Sequence, residues 1–165
     1  MLRFYNTALA LQEVPDEISL AVNFMGCPYH CKGCHSPHLW NAEGGQPVAE
    51  LWPIINRYRN NITCICLMGG DWDMASLDVV TGILSDIYPE LKIALYGANE
   101  LEHYSDNIHG ERILKRLSYL KTGMYIESFG GLDSADTNQR FWKMINGNPE
   151  PVPLKIFRKG VGLNA

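Results

Sequence analysis

Ile18-Ser19-Leu20-Ala21-Val22-Asn23-Phe24-Met25-Gly26-Cys27-Pro28-Tyr29-His30-Cys31-Lys32-Gly33-Cys34-His35 runs from an apolar segment directly into three cysteines. Ile18 to Met25 reads as a buried strand, an almost unbroken apolar run halted by Gly26. Cys27, Cys31 and Cys34 follow at the spacing C-x-x-x-C-x-x-C. Three thiolates in so tight a loop can converge on a small volume without help from distant parts of the chain. A structural zinc site is normally closed by four protein ligands, whereas three thiolates on an iron-sulfur cubane leave one iron open. His30, His35 and His38 lie within reach and could complete a Cys3His zinc site, although zinc sites usually show paired C-x-x-C knuckles.

Outward from this loop, strand and helix patterns alternate. Ala49 to Arg59 reads as a helix that tolerates Pro53 only in its first turn. Ile62 to Met68 reads as a second strand, stopped by Gly69 and Gly70. Leu77 to Ile87 repeats apolar residues at helical spacing, Lys92 to Tyr96 is a short strand closed by Gly97, and Glu111 to Leu117 is helical. Tyr119 to Tyr125 reads as a strand interrupted by Gly123. Such alternation predicts an α/β fold with a mostly parallel sheet and right-handed crossovers. Ligands then gather at the carboxyl ends of the strands, where Cys27 to Cys34 and Gly69 to Asp71 both fall.

The 165 residues are 46% hydrophobic, enough for one core and cramped for two, and no repeat or low-complexity tract divides them. A single domain over 1–165 is expected. Fourteen Lys and Arg against eighteen Asp and Glu, a formal charge of -4, give no footing for a phosphate backbone, so no nucleic acid is expected as partner. Met1 to Ala10 lacks the pattern of a secretory signal, and no apolar stretch approaches the ~20 residues that span a bilayer. A cytoplasmic protein with no membrane association is therefore expected, in a compartment where clustered cysteines mean metal or catalysis before disulfides. Cys64 and Cys66 share one face of the second strand and read as small buried core residues.

The second informative segment is Met68-Gly69-Gly70-Asp71-Trp72, one strand-helix unit after the cysteine loop. Two glycines let the backbone approach a ligand closely, and an acid follows at the strand end. Together the loop and this turn resemble the radical SAM superfamily, and most closely its anaerobic ribonucleotide reductase activating proteins. Shared with that family are Gly33-Cys34-His35-Ser36-Pro37 followed by Trp40-Asn41, then Gly44-Gly45-Gln46-Pro47, Leu120-Lys121-Thr122-Gly123 and Thr137-Asn138-Gln139-Arg140. The resemblance spans roughly Ser19 to Arg140. The chain departs from the common pattern where Gly33 replaces an aromatic residue before the last cysteine, where Asp71 stands for Glu, and where Trp72 follows in place of Pro.

What the resemblance implies is specific. The fold would be a partial (β/α) barrel, open on one side. Cys27, Cys31 and Cys34 would hold a 4Fe-4S cluster whose free iron chelates S-adenosyl-L-methionine. Gly69, Gly70 and Asp71 would accept the methionine ammonium, the backbone of Gly33, Cys34 and His35 would meet the adenine, and Lys121 would take the carboxylate. One electron would open the sulfonium to give methionine and a 5'-deoxyadenosyl radical. That radical would take hydrogen from a glycine of anaerobic ribonucleotide reductase, with a flavodoxin- or ferredoxin-type donor supplying the electron. An activase of another glycyl radical enzyme would use the same machinery, and a non-enzymatic zinc-binding interaction module is the alternative from a different class. Tyr29, His38, Trp40 and Trp72 are candidates for a docking surface. Asn138, Gln139 and Arg140 mark the family without an assigned role.

Overall fold

A computed structural model describes residues 1–158; residues 159–165 of the single domain expected over 1–165 lie outside the described residues. One eight-stranded sheet carries four helices in the chain order β1 (Arg3–Ala10), β2 (Ser19–Met25), β3 (Gln46–Pro47), α1 (Leu51–Tyr58), β4 (Cys64–Met68), α2 (Met74–Ile87), β5 (Lys92–Tyr96), α3 (Leu101–Ser105), α4 (Ile108–Arg116), β6 (Tyr119–Thr122), β7 (Arg140–Ile145) and β8 (Asn148–Pro151). Across the sheet the order is β3-β1-β2-β4-β5-β6-β7-β8.

The sheet is parallel only in its middle. β2 with β4, β4 with β5 and β5 with β6 run parallel, while β1 with β2, β1 with β3, β6 with β7 and β7 with β8 run antiparallel. The mostly parallel sheet expected from the alternation is thus a mixed one. The pattern overlooked its flanks because β1, β7 and β8 join their neighbours through turns and loops with no crossover helix. β6 also stops at Thr122, short of the expected Tyr125, because Gly123 at φ +89° turns the chain out of the sheet.

The central strands are buried on both faces, which is why they read as continuous apolar runs. Leu20, Val22 and Phe24 of β2, Ile65 and Leu67 of β4, and Ile93 and Leu95 of β5 point to one side and form the main core. Leu51 and Ile55 of α1, Leu77, Val80 and Leu84 of α2, Tyr104 of α3 and Ile113 of α4 cover them. The alternate residues Cys64, Cys66 and Ala94 pack on the other face with Val14 and Phe141, in a smaller core to which no α-helix contributes a buried residue among those described. From β2 to β6 the strand order advances in one direction, and its crossover helices lie on one face, as right-handed connections require when the order never reverses.

Caps set the helix starts. The Asp73 side chain accepts from Ser76 N at 3.0 Å before α2, and Asn107 Oδ1 accepts from His109 N at 2.9 Å before α4. The two helices are further tied by Asp78, 7% exposed, which meets His109 Nδ1 at 2.8 Å, Arg112 Nη1 at 3.4 Å and Arg116 Nη1. Burial opposes the charge on Asp78, but His109, Arg116 and Arg112 outweigh it and hold its carboxyl below the ordinary value. A depressed carboxyl stabilises the fold above its unfolded-state pKa, and that contribution is lost as the pH falls through the folded value. Asp78→Asn is expected to lower unfolding free energy by about 1–3 kcal/mol at neutral pH, and by less in acid. Urea titrations of both proteins at neutral and acidic pH read this directly; an equal difference at both would contradict it.

Candidate metal and cofactor site

β2 delivers the cysteine loop to the carboxyl end of the sheet, and two backbone donors fasten its start. Gly26 N and Cys27 N both donate to Leu39 O, at 2.8 and 3.2 Å, so the 3-10 turn Pro37–Leu39 folds back beneath the loop. Within the loop Cys34 N donates to Cys31 O at 3.1 Å and Ser36 N reaches Cys34 Sγ at 3.4 Å. His30 sits at φ +45°, a left-handed conformation rare for a residue with a Cβ, and its ring stacks on Trp40 at 4.7 Å and 23°. Gly33 at φ +73° is glycine for two reasons. Its backbone is left-handed, and a Cβ there would also displace the half-exposed Glu127 side chain, a smaller demand.

The loop forms one wall of a cavity of about 230 Å³ at the carboxyl ends of β2, β4, β5 and β6. Cys27, Cys31, Cys34, Gly69, Asp71 and Lys121, six of the nine residues assigned in the sequence to the cluster or its cosubstrate, all line it. The other three lie just outside. Gly33 backs onto Glu127, Gly70 faces Phe24 and Leu2, and the His35 ring leans on Tyr125 at 5.5 Å. A larger cavity of about 280 Å³ lies between the N-terminus, α1 and α2, but its lining is apolar and holds no cysteine.

Asp71 is 1% exposed, and its two oxygens have different surroundings. Oδ2 accepts from Ala98 N at 2.7 Å, Asn99 N at 2.9 Å and Tyr104 Oη at 3.0 Å, while Oδ1 is buried with no partner among the described residues. Asn99 Nδ2 donates back to Asp71 O at 3.1 Å, and Tyr29 Oη donates to Asn99 Oδ1 at 3.1 Å, joining the cysteine loop to the same network. Gly97 makes the network possible: a Cβ there would fall 1.9 Å from Tyr104 Oη. Burial, then Asp71, drive the Tyr29 hydroxyl up to about 12, so it stays a donor at neutral pH. Burial also raises the Cys27 thiol, against a backbone hydrogen bond from Tyr29.

Lys121 is 8% exposed and donates from Nζ to Gly123 O at 2.6 Å and Gly97 O at 3.1 Å. An ammonium has three N–H groups, so one remains. Burial pushes Lys121 down to about 8, against the pull of Asp71, Cys31 and Glu100. The Thr137-Asn138-Gln139-Arg140 segment gains a structural role here. Gln139 Nε2 donates to Gly123 O at 3.3 Å, the carbonyl that also accepts Lys121, and Asn138 Nδ2 donates to Met124 O at 3.0 Å. Asn99 and Tyr104 were missed in the sequence, and Gly97 was read there only as a strand stop; the available signal was its placement after Lys92–Tyr96, as Gly69 is placed after β4.

The zinc arrangement finds no support in the histidines. His30 stacks on Trp40, His35 leans on Tyr125 and His38 meets Tyr5 at 5.1 Å, and none of the three lines the cavity. Among the described residues no three His, Cys, Asp or Glu side chains stand close enough to hold a single metal ion. A cubane makes a different demand, since each thiolate ligates its own iron and the three need only border a common space. The cavity meets that demand, and Phe24, Leu39 and Met68 give its wall an apolar part. Cys64 and Cys66 are buried in the smaller core; burial pushes Cys64 up to about 12 and raises Cys66 well above the ordinary thiol value. Neither lines the cavity.

A model of the 4Fe-4S single cluster domain family matches residues 18–141, most of the chain, and the chain belongs to that family. No curated protein and no solved structure matches it. No helix among the described residues is long and apolar enough to cross a membrane. Tyr104→Phe, which removes one donor from the buried Asp71 oxygen, is expected to lower stability by about 1–3 kcal/mol while leaving the iron content unchanged. Chemical denaturation and iron analysis of the anaerobically purified variant check both halves.

Proposed function

We propose, on the premise of membership in a 4Fe-4S single cluster family, that this chain is a radical SAM activase that makes a glycyl radical on anaerobic ribonucleoside-triphosphate reductase. The observation that carries the reading is the company of the cysteines. Cys27, Cys31 and Cys34 share their cavity with Asp71, whose second oxygen is buried and unpaired, and with Lys121, whose buried ammonium keeps an N–H to spare. One anionic acceptor and one cationic donor are the complement of a zwitterionic amino acid group, and S-adenosylmethionine carries such a group beside its sulfonium. The cluster and S-adenosylmethionine, when bound, supply reductive cleavage of that sulfonium and the carbon radical that results.

The chain's own residues hold and orient. Cys27, Cys31 and Cys34, as thiolates, would hold the cluster. Asp71 Oδ1 accepts the ammonium, with the Gly69 backbone beside it, while Oδ2 stays committed to the backbone of residues 98–99. Lys121 donates its remaining N–H to the carboxylate, and that new anion favours its charged form. The loop backbone from Gly33 to His35 meets the adenine, with Cys34, Ser36 and Tyr125 in the cavity wall beside it. A partial barrel accords with the strand order advancing in one direction from β2 to β6 with crossover helices on one face, and it opens the carboxyl-end cavity to a protein substrate. Tyr29, Trp40 and Trp72 wall that cavity, whereas Met124, Ile126 and Phe129 stand exposed on the segment next to Tyr125 and suit a docking partner better. A flavodoxin- or ferredoxin-type protein is the proposed electron donor.

Anaerobically purified protein is expected to be brown, to bleach with dithionite and to release 5'-deoxyadenosine from S-adenosylmethionine. Cys31→Ala should abolish the product; retained turnover would remove the loop from the reaction. Incubation with the reductase should produce the glycyl radical doublet by electron paramagnetic resonance, and a doublet only with a different glycyl radical enzyme would reassign the partner. Lys121→Met is expected to weaken S-adenosylmethionine about tenfold to a hundredfold, the usual range for a charge-assisted hydrogen bond of ~1.5–3 kcal/mol. In the wild type that affinity should fall as the pH rises past about 8, where Lys121 loses its proton. Equilibrium binding across that range tests the assignment, and a flat profile would refute it.

A further inference from the structure

Four buried side-chain polar atoms lack a hydrogen-bond partner among the described residues, and two of them belong to residues lining the cysteine cavity: Asp71 Oδ1 and Trp40 Nε1. The first has a use in the zwitterion site. The second has none so far, and a buried indole N–H without an acceptor is a standing penalty that native structures rarely leave unmet. Indole nitrogen is a donor only, so the partner it calls for is an acceptor, and the cavity that Trp40 lines is where one can enter.

Trp40 is built into the cysteine loop. The carbonyl of its neighbour Leu39 holds Gly26 N and Cys27 N, and the face of its ring carries His30, the left-handed residue directly before Cys31. Asp71 and Lys121, the groups suited to an amino acid, stand instead on the ends of the later strands. The ring is therefore carried by the same loop as the sulfur ligands, and a cluster held by Cys27, Cys31 and Cys34 would bring anionic sulfurs into the cavity it lines.

We infer that Trp40 Nε1 donates a hydrogen bond to a sulfur of the bound cluster or of its cysteine ligands, making Trp40 a positioning residue that sets the cluster's reduction potential. This rests on the reading that Cys27, Cys31 and Cys34 hold the cluster. Reduction adds negative charge to the cluster, and an N–H donor stabilises the more negative state, so the bond raises the potential. The stack on His30 keeps the ring plane, and with it the N–H, fixed relative to the loop.

The test uses the anaerobic, cluster-loaded protein and Trp40→Phe, which keeps an aromatic face for His30 and removes the N–H. A second variant with benzothienylalanine at position 40 keeps the two-ring shape and also lacks the N–H. Both are expected to retain wild-type iron and sulfide and wild-type affinity for S-adenosylmethionine. A redox titration followed by electron paramagnetic resonance should show the equilibrium constant for reduction falling about threefold to tenfold, where tenfold is about 59 mV for one electron. An unchanged potential in both variants would overturn the inference, as would loss of the cluster from both. Weaker S-adenosylmethionine binding at an unchanged potential would move the N–H onto the cosubstrate and overturn it equally. A wild-type protein without iron would instead defeat the cluster reading itself, a failure visible before any variant is made.

Discussion

The carboxylate of Asp71 is the point through which the carboxyl end of the sheet is held in shape. Leaving water at 1% exposure is costly for a charged group unless hydrogen bonds compensate, and here two backbone N–H groups and a tyrosine hydroxyl do so at one oxygen. Those donors come from the turn after β5 and from α3, so the acid at the end of β4 fixes the next strand-helix unit. Asn99 passes the constraint on to Tyr29 and thus to the cysteine loop. The arrangement leaves the other oxygen unpaired in the cavity, so one side chain serves both as a structural tie and as an open acceptor.

Lys121 repeats this logic with the opposite sign. Two carbonyls, from Gly97 and Gly123, hold its ammonium at the end of β6, and burial works against its charge. At neutral pH that buried charge lowers the stability of the empty fold, and the penalty eases as the pH rises from about 8 toward the ordinary lysine range. An entering anion relieves the same strain. A site that is electrostatically incomplete on its own gains most when its ligand arrives, which is one reason functional groups of this kind survive in spite of what they cost the fold.

How much of this was legible follows from the range of each signal. The cysteine loop, the glycine-acid turn and the central strands are local patterns, and Cys27, Cys31, Cys34, Gly69, Asp71 and Lys121 do line one cavity. The division of labour between the two Asp71 oxygens was invisible, because it depends on Ala98, Asn99 and Tyr104, which are 27 to 33 positions away and carry no motif. Gly33 and His35 do not line the cavity: a Cβ at Gly33 would point at Glu127, and the exposed His35 ring leans on Tyr125. β1 and β7 escaped notice because they are largely exposed, with Phe4 alone buried in β1 and Phe141 and Met144 in β7, a weaker signal than the apolar runs of the middle strands. The glutamine of the Asn-Gln-Arg marker had no evident chemistry until Gly123 O was seen to serve both it and Lys121.

The last strand carries a consequence of its own. Val152 N donates inward to Phe141 O at 2.9 Å, so by the two-residue alternation of a strand Pro149 and Pro151 turn their backbone nitrogens away from β7. Proline has no N–H to offer, and the outer rim of β8 therefore presents carbonyls alone at those positions. A stray strand from another molecule would find half of its hydrogen-bonding partners missing along that border. Lateral growth into fibrils is discouraged there by covalent structure, independent of charge, salt or concentration.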